Sequence, residues 1–86
     1  MLLRVIEADY INNYRIKLSF SNGETLVVDL ENELEGEVFT PLKDKIFFKD
    51  FFISHNTIEW KNGADFAPEF LYELALSQKA ALAEAA

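Results

Sequence analysis

Residues 14–30, YRIKLSFSNGETLVVDL, decide the fold of this chain. Apolar and polar residues alternate strictly from residue 14 to residue 20, and apolar residues again occupy every second position at Leu26, Val28 and Leu30. Such alternation is typical of strands that have one buried face and one solvated face. The sequence therefore predicts two neighbouring strands, over residues 14–20 and 25–30.

The connection between these two strands has two interpretations. Asn22-Gly23 favours a two-residue hairpin turn, which would place Leu18 opposite Val27 and send Leu26 to the other face of the sheet. A three-residue loop over residues 21–23 instead pairs Leu18 with Leu26 and gives Gly23 the left-handed conformation that such loops require. Because a slip of one residue reverses every side chain, we expect the burial pattern to select the three-residue loop.

The flanking segments predict further short elements. Residues 3–10 form a strand with Val5 facing inward, and Asn12-Asn13 form the turn that follows it. One helical turn over residues 32–35 ends at Gly36. Asp44 then caps a short helix over residues 45–49, which carries Phe47 and Phe48.

The second half of the chain predicts a second hairpin and a helix. Residues 51–53 pair with residues 58–60 around His55-Asn56 through a two-residue or a four-residue connection, so that Ile53 lies opposite Ile58. A helix begins between Asp65 and Pro68, because proline suits the first turn of a helix. The residues expected to face the sheet from this helix are Phe70, Leu71, Leu74 and Leu82.

The order of these elements indicates an α+β fold. We expect a small antiparallel sheet built of hairpins, a short middle helix, and a C-terminal helix packed on the sheet. Residues 1–78 form a single α+β domain, and residues 79–86 are an Ala-rich C-terminal tail that frays. No internal repeat is apparent in the sequence.

Composition excludes several classes of protein. The chain has 86 residues, no cysteine and a net charge of −7, with 8 basic and 15 acidic residues. Disulfide frameworks and cysteine metal sites are therefore excluded, and direct binding of nucleic acid is not expected. No run of residues has the length and apolarity of a signal peptide or a membrane span, so we expect a cytoplasmic protein that does not bind membranes.

The densest group of special residues lies at the junction of the second hairpin and the last helix: Trp60, Asn62, Gly63, Asp65 and Glu69. Core packing, a turn and the start of a helix account for these residues. The alternative is a groove for a ligand or a peptide at this junction. Asp65 and Glu69 are also spaced to project from one helical face as a pair of carboxylates, although helix-end capping and charge complementarity are the preferred interpretation.

An acidic segment precedes this region, with glutamate at every second position: Glu31, Glu33, Glu35 and Glu37. Alternating side chains diverge, whereas a hard cation requires oxygens that converge on one point. The segment is therefore interpreted as a solvated acidic surface for a basic partner. His55 is interpreted as an exposed turn residue, and we expect no catalytic residue, no metal and no cofactor.

Several stretches resemble a bacterial family catalogued as domain of unknown function 2442. They are residues 29–30 (DL), 34–42 (LEGEVFTPL), Phe48, 58–65 (IEWKNGAD), Pro68, Glu69, Leu71 and Tyr72. The resemblance extends over roughly residues 4–73, and the tryptophan-x-asparagine-glycine-alanine-aspartate run is its most specific part. Lys61 departs from the proline that is frequent in the family.

The resemblance implies a small bacterial α+β domain, encoded near another small protein in an arrangement like a toxin–antitoxin pair. Some relatives carry a helix-turn-helix domain after this one, and the present chain ends before such a domain would begin. No catalytic residue is established for the family. We therefore expect a non-enzymatic protein-interaction or regulatory module whose partner is another small protein, and the resemblance implies that it is the antitoxin-like half of a two-gene pair. A homo-oligomer, and a small-molecule binder that uses residues 60–69, remain open alternatives.

Overall fold

A three-stranded antiparallel meander forms the first half of the structure, a computed structural model that describes residues 2–85. Its strands are β1 (Val5–Asn12), β2 (Arg15–Phe20) and β3 (Thr25–Asp29), in the order β1-β2-β3. Leu18 lies opposite Leu26, which confirms the predicted register. The inward faces of β2 and β3 are buried, as the alternation predicts.

The loop between β2 and β3 has the predicted three residues. The amide of Phe20 donates to the carbonyl of Glu24 at 2.8 Å, which closes the loop around residues 21–23. Gly23 has a φ of +90°. The left-handed conformation at Gly23, rather than the Asn-Gly dipeptide as a two-residue turn, therefore sets the register of the hairpin.

Two irregularities in β1 explain why its sequence alternates poorly. Val5 lies opposite Phe20 and Glu7 opposite Ser19, so Ile6 is an extra residue in β1. Ile11 is extra in the same way at the other end of the strand. Both isoleucines are exposed, because a bulged residue leaves the regular pairing. The strand consequently runs two residues further than predicted, and the turn lies at residues 13–14.

The middle segment contains short turns and one short helix. Glu31–Glu33 and Thr40–Lys43 are 3-10 turns, and α1 spans Lys45–Phe48. The Asp44 carboxylate accepts from the amide of Ile46 at 3.0 Å, which confirms the predicted cap. The helical turn predicted over residues 32–35 is wrong in its position, because it ends before Leu34, and Leu34 is buried in the core.

A second, two-stranded sheet pairs β4 (Phe52–Ser54) with β5 (Thr57–Glu59). His55 and Asn56 both have positive φ, at 53° and 71°, and Ser54 pairs with Thr57, so the connection is the two-residue alternative of the two that the sequence allows. Ile53 lies opposite Ile58, which confirms the predicted pairing. The amide of Val5 donates to the carbonyl of Asn56 at 2.8 Å, so this turn joins the second sheet to β1.

The C-terminal helix α2 spans Pro68–Ala85 and packs against β3. Leu71 and Ala75 are buried in this contact, and Leu74 is partly buried. The prediction that Phe70 and Leu82 face the sheet is wrong, because 40% of Phe70 and 74% of Leu82 are exposed. The tail expected to fray over residues 79–86 is helical as far as Ala85, and residue 86 lies outside the described residues.

One continuous core joins the two sheets and α2. Its largest fully buried side chains are Trp60, Phe20, Phe48, Ile16, Leu18, Leu30, Leu34, Leu42, Ile58, Leu71, Val5 and Val28. The architecture is therefore the predicted α+β fold, with its antiparallel strands divided between two sheets. Within residues 2–85, no helix has both the length and the apolar character needed to cross a membrane.

Candidate functional site

Trp60 belongs to the core. Its side chain is only 1% exposed, and its indole Nε1 donates to the carbonyl of Phe48 at 2.7 Å. Its ring also contacts those of Phe48, Phe51 and Phe66, with centroids about 6 Å apart. A tryptophan enclosed in this way stabilises the fold and has no surface left for a ligand.

Asn62 and Gly63 lie in a loop that has the same backbone hydrogen bonds as the β2–β3 loop. The amide of Trp60 donates to the carbonyl of Ala64 at 2.9 Å, as that of Phe20 donates to Glu24. Asn62 Oδ1 accepts from the amide of Ala64 at 3.1 Å, and Asn22 Oδ1 accepts from Glu24 at 3.0 Å. Gly63 has a φ of +89°, against +90° for Gly23.

This similarity extends to the burial of the residues on either side of the loops. Residues 17–26 (KLSFSNGETL) correspond to residues 57–66 (TIEWKNGADF). Leu18, Phe20 and Leu26 are buried in the first segment, and Ile58, Trp60 and Phe66 are buried in the second. Only the asparagine and the glycine are identical between the two segments, so the similarity is one of loop geometry and burial.

The loop around Asn62 also joins two distant parts of the chain. Asn62 Nδ2 donates to the carbonyl of Val38 at 2.9 Å, which ties this loop to the acidic segment. Nearby, the buried Thr57 hydroxyl donates to the carbonyl of Phe66 at 2.5 Å. The side-chain polar groups of Thr57, Trp60 and Asn62 are therefore hydrogen-bonded to the backbone of the protein itself.

Asp65 and Glu69 do not form a pair on one helical face. Asp65 lies before α2, where it forms an isolated antiparallel bridge with Glu59. The carbonyl of Ala67 accepts from the amide of Leu71 at 3.1 Å, so Pro68 is the first helical residue and Asp65 does not cap the helix. Glu69 lies in the first turn, where its charge complements the positive helix end.

The acidic segment follows two turns of the chain and does not converge. Glu31 and Glu33 lie in one 3-10 turn, while Glu35 forms an ion pair with Lys43 at 3.5 Å and Glu37 is exposed. Among the described residues, no group of three or more carboxylates and histidines is placed to hold a metal ion. The role of this segment as a surface for a basic partner stays a prediction.

His55 lies beside a serine and a glutamate, but not in the geometry of a catalytic triad. Its Nδ1 is 2.9 Å from Ser54 Oγ and 3.4 Å from Glu59 Oε1. A triad uses the two ring nitrogens separately, one for the nucleophile and one for the acid. Here both neighbours share one nitrogen, and the side chain of His55 is 85% exposed, as expected for a turn residue.

An open surface lies at the outer edge of β3, which the sequence does not single out. A groove of about 590 Å³ runs between β3 and the last turns of α2. Leu26, Val27, Ala75 and Leu82 supply its apolar surface, and Arg15 and Lys79 lie at its rim. None of the residues predicted as a site from the sequence lines it.

The edge of β3 is partly occupied by a side chain of α2. Gln78 Nε2 donates to the carbonyl of Asp29 at 2.8 Å, and Gln78 Oε1 accepts from the amide of Asp29 at 2.9 Å. The amide of Gln78 thus makes the two hydrogen bonds that a neighbouring strand would make. It protects one end of the edge and leaves the rest of β3 open.

These features define a small α+β domain that combines two antiparallel sheets, a C-terminal helix on the sheet, and an open edge at β3. The chain belongs to the family described as Protein of unknown function (DUF2442), whose model matches residues 5–77. This match confirms the resemblance found in the sequence. Comparisons with curated proteins and with solved structures found no match.

Proposed function

We propose that this protein is a non-enzymatic interaction module that binds another protein along the outer edge of β3. The single observation that carries the proposal is the unpaired backbone at Val27. Backbone hydrogen bonds join Phe20 to Glu24 and Tyr14 to Leu30 across the hairpin. Because hydrogen-bonded pairs alternate along an antiparallel ladder, the backbone groups of Leu26 and Val28 also point toward β2. The N–H and C=O groups of Val27 therefore point away from the sheet.

The outward groups of Val27 make no hydrogen bond within residues 2–85. An unpaired strand edge is a template for pairing with another chain, and proteins commonly use it to bind extended segments. At Asp29 the side chain of Gln78 already satisfies the same two groups. The edge is thus accessible to a partner at its centre and protected at its end.

The apolar face of α2 supports the same location. Leu71, Ala75 and Leu82 lie on one face of the helix, and the first two are buried against the sheet. Leu82 continues this face beyond the sheet, where 74% of its surface is exposed. A partner strand beside β3 would cover Leu82 and extend the core past its present edge.

Site-specific crosslinking tests this proposal. A photoreactive benzoylphenylalanine replaces Leu82 in the groove or, as the control, Ser77 on another face of the same helix. In cells of the organism that encodes the chain, we expect a covalent product with a second protein from position 82 and not from position 77. The proposal is wrong if folded variants give no product at position 82, or equal products at both positions.

The finer proposal is that the partner is a small protein encoded nearby, and that this chain is the antitoxin-like or regulatory half of the pair. The family resemblance supports this role, because it implies such gene pairs. Expression of the neighbouring protein alone should slow growth, and co-expression of this chain should restore it. If a Leu82→Glu variant restores growth as fully as the wild type does, the antitoxin role does not depend on the groove.

A further inference from the structure

We propose that the occupant of the groove is an extended peptide segment in which apolar and acidic side chains alternate, and that it adds as a fourth strand beside β3. This inference rests on the proposed function and specifies the chemistry of the partner. Three properties of the groove carry it: the backbone groups at its base, the apolar helix face on one side, and the charges on the other side.

The backbone of β3 requires an extended occupant. Val27 presents one donor and one acceptor outward, and Gln78 demonstrates at Asp29 that a planar amide fits this edge with distances of 2.8 and 2.9 Å. A peptide group of an incoming strand has the same donor and acceptor. Because an extended segment advances about 3.3 Å per residue, four or five residues would follow the length of β3.

The two sides of the groove differ in polarity, which favours an occupant whose apolar and acidic side chains alternate. On the core side of β3, the occupant would meet Ala75 and Leu82 of α2. On the solvated face it would lie beside Thr25, Val27 and Asp29 of β3, where Arg15 of β2 also lines the groove and Lys17 lies opposite Val27 on β2. Since successive side chains of a strand point to opposite faces, apolar residues would face α2 and the intervening residues would face the cations.

The charge beside β3 is opposite in sign to that of the whole protein. Arg15 and Lys17 lie beside β3 on the solvated face, Lys79 lines the groove, and Asp29 is the acidic residue among them. Arg15 Nε is 3.7 Å from Asp29 Oδ2, and half of the Arg15 side chain remains exposed. The local surface thus favours acidic side chains, although the chain carries a net charge of −7.

A second copy of the chain is a less suitable occupant. Pairing of β3 with β3 around Val27 would set Thr25 opposite Asp29 and would supply a single carboxylate to the cations of each copy. It would also bring together two molecules that each carry a charge of −7. An acidic segment of another protein satisfies the cations without joining two like-charged domains.

Two synthetic peptides test the inference on the full chain. Both are blocked at their ends and have eight residues, one alternating valine with glutamate and the other valine with lysine. At about 0.05 M salt, we expect the glutamate peptide to bind at least about tenfold more tightly, whereas net charge alone would favour the lysine peptide. Amide hydrogen exchange at Val27 should slow when the glutamate peptide binds.

Two variants with the same change in net charge locate the binding. Leu82→Glu places a carboxylate in the apolar side of the groove, and Ser77→Glu places one on another face of α2. The first should weaken binding of the glutamate peptide at least about tenfold, and the second by less than about threefold, because exposed charges outside the groove are screened. Equal loss in both variants, or equal binding of both peptides, overturns the inference.

The outcome also separates this inference from the proposed function. Crosslinking of a second protein at position 82 without binding of the glutamate peptide would retain the interaction module and refute the acidic strand. A concentration-dependent dimer in sedimentation, abolished by Leu82→Glu and not by Ser77→Glu, would identify a second copy as the occupant and overturn the inference. Binding of the glutamate peptide with no crosslinked protein would refute only the cellular role.

Discussion

Individual residues at the hairpin–helix junction act mainly through the fold. Trp60 is enclosed and donates a hydrogen bond to the Phe48 carbonyl, while Asn62 bonds to two backbone groups. Asp65 follows soon after in the sequence, but its side chain is exposed and makes no hydrogen bond within the described residues. Neighbouring residues of one motif therefore differ in their contribution to stability, and substitution measures the difference.

Trp60→Ala should be severely destabilising. Removal of a fully buried aromatic side chain costs about 3–5 kcal/mol of the free energy of unfolding, and the lost indole also leaves a backbone carbonyl without its partner. Urea unfolding measures this loss. Phe52→Ala is the matched control, because Phe52 is 42% exposed, and it should cost less than half as much. Comparable losses would contradict the enclosure of Trp60.

Asn62→Asp should cost more than Asp65→Asn, although both exchange an amide and a carboxylate. Asp at position 62 loses the donor to the Val38 carbonyl and places a charged oxygen beside it, at a cost of about 1 kcal/mol. Asn at position 65 alters only an exposed side chain, with an effect within about 0.5 kcal/mol. Thermal melts of the two variants test the order, and a reversed order would restore a special role for the Asp65 carboxylate.

Tyr72 should make stability fall at alkaline pH. Its hydroxyl donates to the Glu24 carboxylate, and this hydrogen bond raises the pKa of Tyr72 above its ordinary value of 10.0. Stability from the protonated phenol is therefore fully present below pH 10 and is lost as the pH rises through the raised pKa. Between pH 8 and 11 the wild type should lose more stability than Tyr72→Phe, measured by urea unfolding. Equal losses would contradict the coupling.

At the scale of elements, α2 divides into a part that supports the fold and a part that extends beyond it. Leu71→Ala should destabilise the protein by about 2–5 kcal/mol, because Leu71 is fully buried. Leu82→Ala should change stability by less than about 0.5 kcal/mol, because Leu82 is largely exposed. Both substitutions replace leucine by alanine on the same face of α2. Equal effects in urea unfolding would show that Leu82 has a partner within the domain.

The elements that the sequence predicts well are those whose burial follows a strict local pattern. Alternation is sufficient for the register of Leu18 with Leu26 and for that of Ile53 with Ile58. The bulges of β1 could not be predicted, since Ile6 and Ile11 are apolar and yet leave the regular pairing. The exposure of Leu82 was missed because helical spacing cannot show where the sheet beneath a helix ends.

The candidate surface could not be predicted from local patterns at all. The groove lies between β3 and α2, which are far apart in the sequence: Gln78 and Asp29, which meet at its end, are separated by 49 residues. The sequence drew attention to residues 60–69 because they are chemically distinctive, and the structure assigns Trp60, Asn62 and Gly63 to packing and loop geometry. An open strand edge consists of backbone groups, which leave no distinctive residue types in a sequence.

For the whole molecule, a net charge of −7 on a small domain predicts that salt is stabilising. Like charges repel more in the compact state than in the unfolded chain, and salt screens that repulsion. Between about 0.02 and 0.5 M sodium chloride at pH 7, the free energy of unfolding should rise by several tenths of a kcal/mol. At pH 4.5, close to the isoelectric point, the rise should disappear. A salt-independent stability at pH 7 would contradict net repulsion.

The repeated aromatic-x-Asn-Gly loop bears on the order in which the chain folds. Each loop closes over five residues, 20–24 and 60–64, and short closures are fast compared with contacts between distant segments. We therefore expect two independent nuclei to form early, each with its own buried aromatic residue. The Gln78–Asp29 pairing requires both halves to be assembled and should form late. Gly23→Ala and Gly63→Ala would then slow refolding, whereas Gln78→Ala would chiefly accelerate unfolding.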